Sequence, residues 1–314
     1  MGKNRVKKPH YIPRSSYLEQ FVNTSNKIYA YLDKEQLISN PSVATPIEVS
    51  PTNFCIEHYM YETPKLPVNT MEKLLEKIES DYLEVLKNKI IKREKLTSSD
   101  KEKVAYFIST LESRTPLSRD NIHGFIDRVL SQFESLEKQY NRGVKTQQSI
   151  ELEKIKEDKS AFIQSILTSV EVNRWRFSDF AFLFTQFEGD DQFFITSDFP
   201  VSLVDFTLMN SFYGVPPLST TIEVTLPLTT KIALLINNAG YNGYYEISHN
   251  FVREINNRTL IGVGEYIISP NKLDTRFVDY CLRRFRQSLL LFLLQTKLDK
   301  EWGKRIKKIK KGRG

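Results

Sequence analysis

Three polar residues far apart in the chain have side chains suited to acid–base or phosphate chemistry: His10, Arg114 and Asp198. His10 stands between a basic arm and Tyr11-Ile12-Pro13. An imidazole there can act as a general base near neutral pH or ligate a metal, and it can equally pin the first segment against the core. Arg114 opens the word Arg114-Thr115-Pro116 at the expected end of a helix. A cation there complements the helix dipole, while its planar fork also suits phosphate or carboxylate. Asp198 lies in Thr196-Ser197-Asp198-Phe199-Pro200, after the strand-like run Phe193-Phe194-Ile195. A carboxylate at a strand end can be a catalytic acid or metal ligand, or it can accept nearby backbone N–H groups in an Asx turn. Glu79 is one position from the apolar Ile78, near enough to an apolar stripe to reach a cleft, though a solvated face suits it too.

Other chemistries lack their signatures. Cys55-x-x-His58 offers two metal ligands, whereas a closed zinc site needs four, and the remaining cysteine is Cys281. No Gly-x-Ser-x-Gly elbow anchors a serine hydrolase, and no glycine-rich phosphate loop is present. Arg283-Arg284-x-Arg286 spans about one helical turn and reads as a phosphate contact or a solvated face. The sequence identifies no particular cofactor and leaves metal dependence open.

The formal charge of +7 is unevenly spread. Residues 1–8 carry +4 and residues 297–314 carry +7, which leaves −4 on residues 9–296. The basic excess therefore belongs to two tails. Lys304, Arg305, Lys307, Lys308, Lys310 and Lys311 form a cluster that can hold nucleic-acid phosphates nonspecifically, with strong salt dependence, or simply solubilise the chain. Ile306 and Ile309 are too little apolar surface for more than marginal membrane adhesion. Two cysteines and no apolar leader suit a reducing cytosol, so a cytoplasmic location is expected. The run Leu289–Leu294 is too short to cross a bilayer, which takes about 20 residues.

These residues need elements to position them. Forty per cent hydrophobic and 12% aromatic residues supply a substantial core. Residues 28–31 and 47–49 read as short strands among prolines. From Met71, apolar residues at Leu74, Leu75, Ile78, Tyr82, Leu86 and Ile90 mark a helix. Ser99-x-x-Glu102 has the form of a capping box for a second helix ending before Pro116. Residues 118–140 and 147–173 complete a four-helix middle. Beyond Arg174, dense aromatics and the runs 193–196, 222–226 and 232–236 read as strands. A helix over 248–260, a strand over 263–268 and a helix over 275–296 follow. The expected fold is α+β in one domain over 1–314: a mixed or antiparallel sheet from N-terminal and C-terminal segments, with a helical subregion (71–173) packed on it and a sheet-rich region at 174–270.

The run from His10-Tyr11-Ile12-Pro13 through Tyr17-Leu18 to Phe21 carries a resemblance, joined by Tyr29-Ala30-Tyr31, Arg114-Thr115-Pro116, Ser197-Asp198-x-Pro200, Pro227-Leu228-Thr229 and the helix around Asn256. In order and spread they resemble the mostly bacterial family called domain of unknown function four-two-three-eight, over roughly residues 9 to 270. Leu111, Cys55 and Phe199 depart from its pattern, where Gln, Tyr and Asn are common. The resemblance implies no assigned reaction. Two functions of different class are expected: a hydrolase acting on nucleic acid or nucleotide, with His10, Arg114 and Asp198 brought together, or a noncatalytic interaction protein in which these words fix turns and caps.

Overall fold

The computed structural model describes residues 6–140, 143–157, 159–185, 193–207, 219–262, 264–282, 288–291, 293–295 and 297. Two sheets organise it. The first joins both ends of the described chain: β1 (Ile28–Tyr31) and β2 (Ile47–Val49) come from the N-terminal segment, β4 (Thr196–Ser197) and β9 (Ile267–Ser269) from the C-terminal half, in the order β2-β1-β9-β4. Its pairings are antiparallel, with Ala30 opposite Ile268 and Thr196 opposite the same residue on the other edge. The second sheet has the order β5-β6-β7-β3-β8, from β5 (Ser202–Asp205), β6 (Ile222–Pro227), β7 (Ile232–Asn237), β3 (Asp179–Thr185) and β8 (Gly243–Ile247). It is antiparallel except for the parallel pair β3 and β8. The fold is α+β.

Side-chain alternation explains why β3 and β7 read as unbroken apolar runs. Phe180, Phe182 and Phe184 enter the main core with Ile232, Leu234 and Ile236, while Ala181, Leu183, Ala233 and Leu235 face a second core. A sheet covered on both faces needs no polar side. The helical middle covers the first face: α2 (Thr70–Val85), α3 (Ser98–Ser113) and α6 (Ser160–Val172) contribute Leu75, Tyr82, Phe107 and Phe162 to the main core. The Tyr82 and Phe107 rings stack with centroids 3.7 Å apart. On the other face, α7 (His249–Gly262) brings Phe251, Val252 and Ile255 into the second core beside Leu289 and Leu293.

Several expectations are corrected. The capping box belongs to Thr97 and Asp100, not Ser99 and Glu102: Asp100 N–H donates to Thr97 Oγ1 at 3.1 Å and Thr97 N–H to Asp100 Oδ2 at 2.9 Å. The helix expected over 147–173 is two, α5 (Gln147–Glu157) and α6, because Lys159 takes a left-handed turn at φ 60°. The helical middle thus holds α2 to α6, including α4 (Pro116–Tyr140), and not four helices. The helix expected over 275–296 is not continuous. After α8 (Thr275–Leu282), Ser288 caps a new helical start by accepting from Leu291 N–H at 3.2 Å, and buried Glu223 accepts from Leu289 and Leu290 N–H. The strand expected at 193–196 is confined to Thr196–Ser197, since Asn256 takes the backbone before it: Ile195 N–H donates to Asn256 Oδ1 and Asn256 Nδ2 to the Phe193 carbonyl. The strand expected at 263–268 is displaced to Ile267–Ser269 because Gly264 and Glu265 N–H groups turn toward Asp198. The short helix α1 (Lys34–Ser39), capped by Asp33, and strands β5 and β8 were not anticipated.

Candidate functional site

His10 is held by backbone pairing before its side chain does anything. Residues 7–11 lie along 55–59 through Tyr11 N–H to Cys55 O (2.9 Å), Glu57 N–H to Pro9 O (3.2 Å) and Tyr59 N–H to Lys7 O (3.1 Å). The His10 Nε2 lies 3.1 Å from the Pro51 carbonyl. Burial pulls the imidazole pKa below its ordinary value, opposed by that carbonyl. Since a carbonyl only accepts, Nε2 carries the hydrogen and donates to Pro51.

The Arg114-Thr115-Pro116 word is a helix-to-helix corner. Arg114 is the C-cap of α3, its N–H donating to the Thr110 carbonyl. Thr115 is the N-cap of α4, its hydroxyl accepting from Ser118 N–H at 3.2 Å, and Pro116 fills the first helical position, where a missing N–H costs nothing. The Arg114 guanidinium, 3% exposed, then reaches three partners: Nη1 donates to Glu79 Oε1 (2.6 Å), Nε to the Tyr61 hydroxyl (3.1 Å) and Nη2 to the His10 carbonyl (2.5 Å). Burial opposes its charge, yet Tyr61 and Glu79 hold its pKa above the ordinary value. Arg114 is thus more than a dipole complement; it ties α3, α2 and the N-terminal segment together.

On α2, Glu72, Glu76 and Glu79 recur at helical spacing and so share a flank of the helix, beside the buried stripe of Met71, Leu75, Ile78 and Tyr82. Glu79 takes the arginine. Glu72 has no such partner, and its buried Oε1 makes no hydrogen bond. Burial pushes its carboxyl up to about 7; Arg114 opposes the rise, while Glu79, Glu62 and Glu76 add to it.

Asp198 lies elsewhere. Its Oδ1 accepts from Gly264 N–H at 3.1 Å and its Oδ2 from Glu265 N–H at 2.8 Å, so it clamps a loop distant in sequence and forms no local Asx turn. A Cβ on Gly264 would come within 2.7 Å of Asp198 Oδ2, which is why this position is glycine. Burial raises the Asp198 carboxyl above its ordinary pKa against the pull of these N–H donors. The carboxylate influences the buried, hydrogen-bonded pair Tyr11 and Cys55 electrostatically, but it bonds to neither His10 nor Arg114.

The structure therefore joins His10 to Arg114 through a main-chain carbonyl and leaves Asp198 in its own niche. The Cys55 thiol is buried against Tyr11, and among the described residues no group of three or more His, Cys, Asp or Glu side chains could hold a metal ion. The basic cluster of Lys304, Arg305, Lys307, Lys308, Lys310 and Lys311, and Arg283, Arg284 and Arg286, lie outside the described residues.

Three of the motif words, those around Tyr17, Thr196 and Pro227, meet at one phenol. Tyr17, fully buried, donates from its hydroxyl to the Pro227 carbonyl at 2.7 Å and accepts from Thr196 Oγ1 at 2.7 Å. Thr229 follows in the β6–β7 turn, its Oγ1 accepting from Lys231 and Ile232 N–H at 3.0 Å each. A family model matches residues 8–272, the span that contains the contacts of Tyr17, Arg114 and Asp198. The chain belongs to the family described as protein of unknown function (DUF4238). Searches of curated proteins and of solved structures gave no match. In this DUF4238 chain, sequence reasoning found His10, Glu79, Arg114 and Asp198 but missed Tyr61 and Glu72. The seven-residue spacing of Glu72 and Glu79 on one helix was the available signal for Glu72. Tyr61 stands in a loop with no periodicity to mark it. Among the described residues no helix is long and apolar enough to cross a membrane.

Proposed function

We propose that the protein is a noncatalytic binding protein, acting in the cytosol, whose family words serve as internal staples. The observation that carries this reading is the burial of Arg114 among partners on all three of its nitrogens. Each of its nitrogens donates inward, to Glu79, Tyr61 or the His10 carbonyl, and a side chain this deeply buried does not present its fork to a phosphate from solvent. Asp198 likewise has both oxygens on backbone N–H groups. The two free cysteines, both buried, suit a reducing compartment.

A second reading is favoured by Glu72. A carboxyl pushed up to about 7 has the protonation balance of a general acid or base at neutral pH, and Arg114 is close enough to oppose that rise. In that reading the protein hydrolyses phosphate esters of nucleic acid or nucleotide, with Arg114 beside Glu72 as a supporting group, Asp198 taking no part, and the 304–311 basic cluster holding the backbone.

One experiment separates the two. The purified protein is incubated with mixed RNA, DNA and nucleotides, with and without magnesium, beside the Glu72→Gln variant. The noncatalytic reading expects no turnover by either form; turnover by the wild type that Glu72→Gln abolishes would replace it with the second reading. Deletion of residues 303–314, followed by duplex titration at rising salt, tests the tail. Affinity that vanishes with the tail assigns the phosphate contacts to it, and unchanged affinity removes that role.

A further inference from the structure

The connection between α2 and α3 meets the sheet at the start of β8. Past Val85 the helix runs on through a π-turn at Leu86–Ile90, and Arg93 then takes a left-handed turn at φ 57°. Two side chains tie this connection to the sheet. The Tyr244 hydroxyl donates to the Glu94 carbonyl, and Arg93 Nη1 donates to Glu246 Oε1 at 3.0 Å with its guanidinium over the Phe184 ring. Beside these ties lies a cavity of about 360 Å³, a volume suited to a small ligand.

The cavity has two kinds of lining. Its apolar part is aromatic, from Phe180, Phe182 and Tyr244, and the Phe182 and Tyr244 rings stack with centroids 5.3 Å apart. Its charged part is Arg93, Lys95 and Lys101, and no lining residue is acidic. Three cations on one rim run against a body in which residues 9–296 carry −4. The carboxylates of the surrounding elements are engaged elsewhere: Glu246 with Arg93, Glu94 with Lys89 at 2.7 Å, Asp100 in the Thr97 cap, and Asp179 with Gly240 N–H and Asn242 Nδ2. Lys101 instead donates to a neutral amide, Asn242 Oδ1, at 3.0 Å, and that oxygen is fixed in turn by Phe180 N–H at 3.2 Å. An ammonium carries three donors, so Lys101 is aimed by this bond and not used up by it. Lys95 lines the same cavity and is exposed.

We infer that this cavity binds an aromatic phosphate, a nucleoside monophosphate, with the base against the Tyr244 ring and the phosphate accepting from Lys95 and Lys101. Ammonium groups hold phosphate as point charges, and a pair of them suits a dianion better than a singly charged carboxylate. An aromatic wall beside a cationic rim is the combination that receives a base and its phosphate together. The inference rests on the noncatalytic binding reading and deepens it by naming a ligand class; neither Glu72 nor Arg114 lines this cavity.

Isothermal titration of the full chain with AMP, beside adenosine, inorganic phosphate and benzoate, is the test. AMP should bind at least about tenfold more tightly than any of the three, and less tightly as salt rises. The double variant Lys95→Gln with Lys101→Gln, altered only at an exposed and a half-buried side chain so that the fold is kept, should bind AMP about tenfold more weakly or worse, the range for lost hydrogen bonds to a charged group. Tyr244→Leu should weaken AMP by about tenfold and leave inorganic phosphate unchanged. The basic tail also attracts phosphate, so deletion of residues 303–314 should leave AMP affinity as it is. The proposal is overturned if AMP binds no better than the comparators, if the double variant binds as tightly as the wild type, or if AMP affinity vanishes with the tail. Chromatography of the recovered nucleotide separates the two failures. Absence of binding removes the cavity alone, whereas hydrolysis of AMP whose binding still depends on Lys95 and Lys101 removes the noncatalytic reading and keeps the cavity.

Discussion

A glutamate beside an apolar helical stripe usually reaches water, and Glu79 instead finds Arg114, leaving Glu72 half-buried with one oxygen unpaired. Its carboxyl rises from the ordinary 4.5 to about 7, chiefly through burial. A folded state that holds this proton more tightly than the unfolded chain is favoured at low pH. The contribution is fully present below about 4.5 and is lost as pH rises through about 7. Glu72→Gln should flatten that part of the profile and, at pH 8, stabilise the protein by on the order of 1–2 kcal/mol once solvent screening of this partly exposed group is allowed for. Urea denaturation at pH 5 and pH 8 measures it; a pH dependence identical to the wild type would show that Glu72 is not the titrating group. His10, Arg114 and Asp198 were visible as chemically capable residues because their types and neighbours stand out. What each one bonds to was not, since a carbonyl at residue 10 and two N–H groups at 264 and 265 leave no trace in side-chain identity.

Helices were legible where periodicity and capping residues agree. The stripe from Met71 to Tyr82 and the stop at Arg114-Thr115-Pro116 both translate directly into packing. The start of α3 was misplaced by two residues because Thr97-Ser98-Ser99-Asp100 offers several oxygens that could cap, and Thr97 with Asp100 closes both bonds of the box. Thr97→Ala should therefore cost about 1 kcal/mol and lower the melting temperature by roughly 2 °C in a chain of this size, whereas Ser99→Ala should leave it nearly unchanged. Thermal unfolding followed at 222 nm compares the two, and equal effects would contradict the assignment of the cap. The break between α5 and α6 had no such signal, because lysine rarely takes the left-handed conformation it adopts at position 159.

Across the molecule, the partition into strand-poor and strand-rich regions could be read from composition, as could the recruitment of N-terminal strands to a sheet. That there are two sheets could not, because pairing partners are chosen by three-dimensional fit: β1 takes β9 and leaves β3 to β7 and β8. Tyr17 is the joint between these distant parts, linking the first segment to β4 and to the end of β6 through one hydroxyl. Tyr17→Phe keeps the ring packed near Phe21 and Phe107 but strands the Thr196 hydroxyl and the Pro227 carbonyl in the core. The expected loss is about 1–3 kcal/mol, measured by chemical denaturation, and a neutral substitution would mean that these groups find other partners.

The seating of β1 between β2 and β9 also bears on how the protein is made. Tyr31 accepts a hydrogen bond from Leu273 N–H at 2.7 Å, across a sequence separation of 242 residues. A ribosome delivers the early strand long before its later neighbour, so through most of translation the β9-facing edge of β1 waits unpaired. Translation arrested before codon 267 should therefore yield aggregation-prone fragments, which sedimentation of the arrested chains measures.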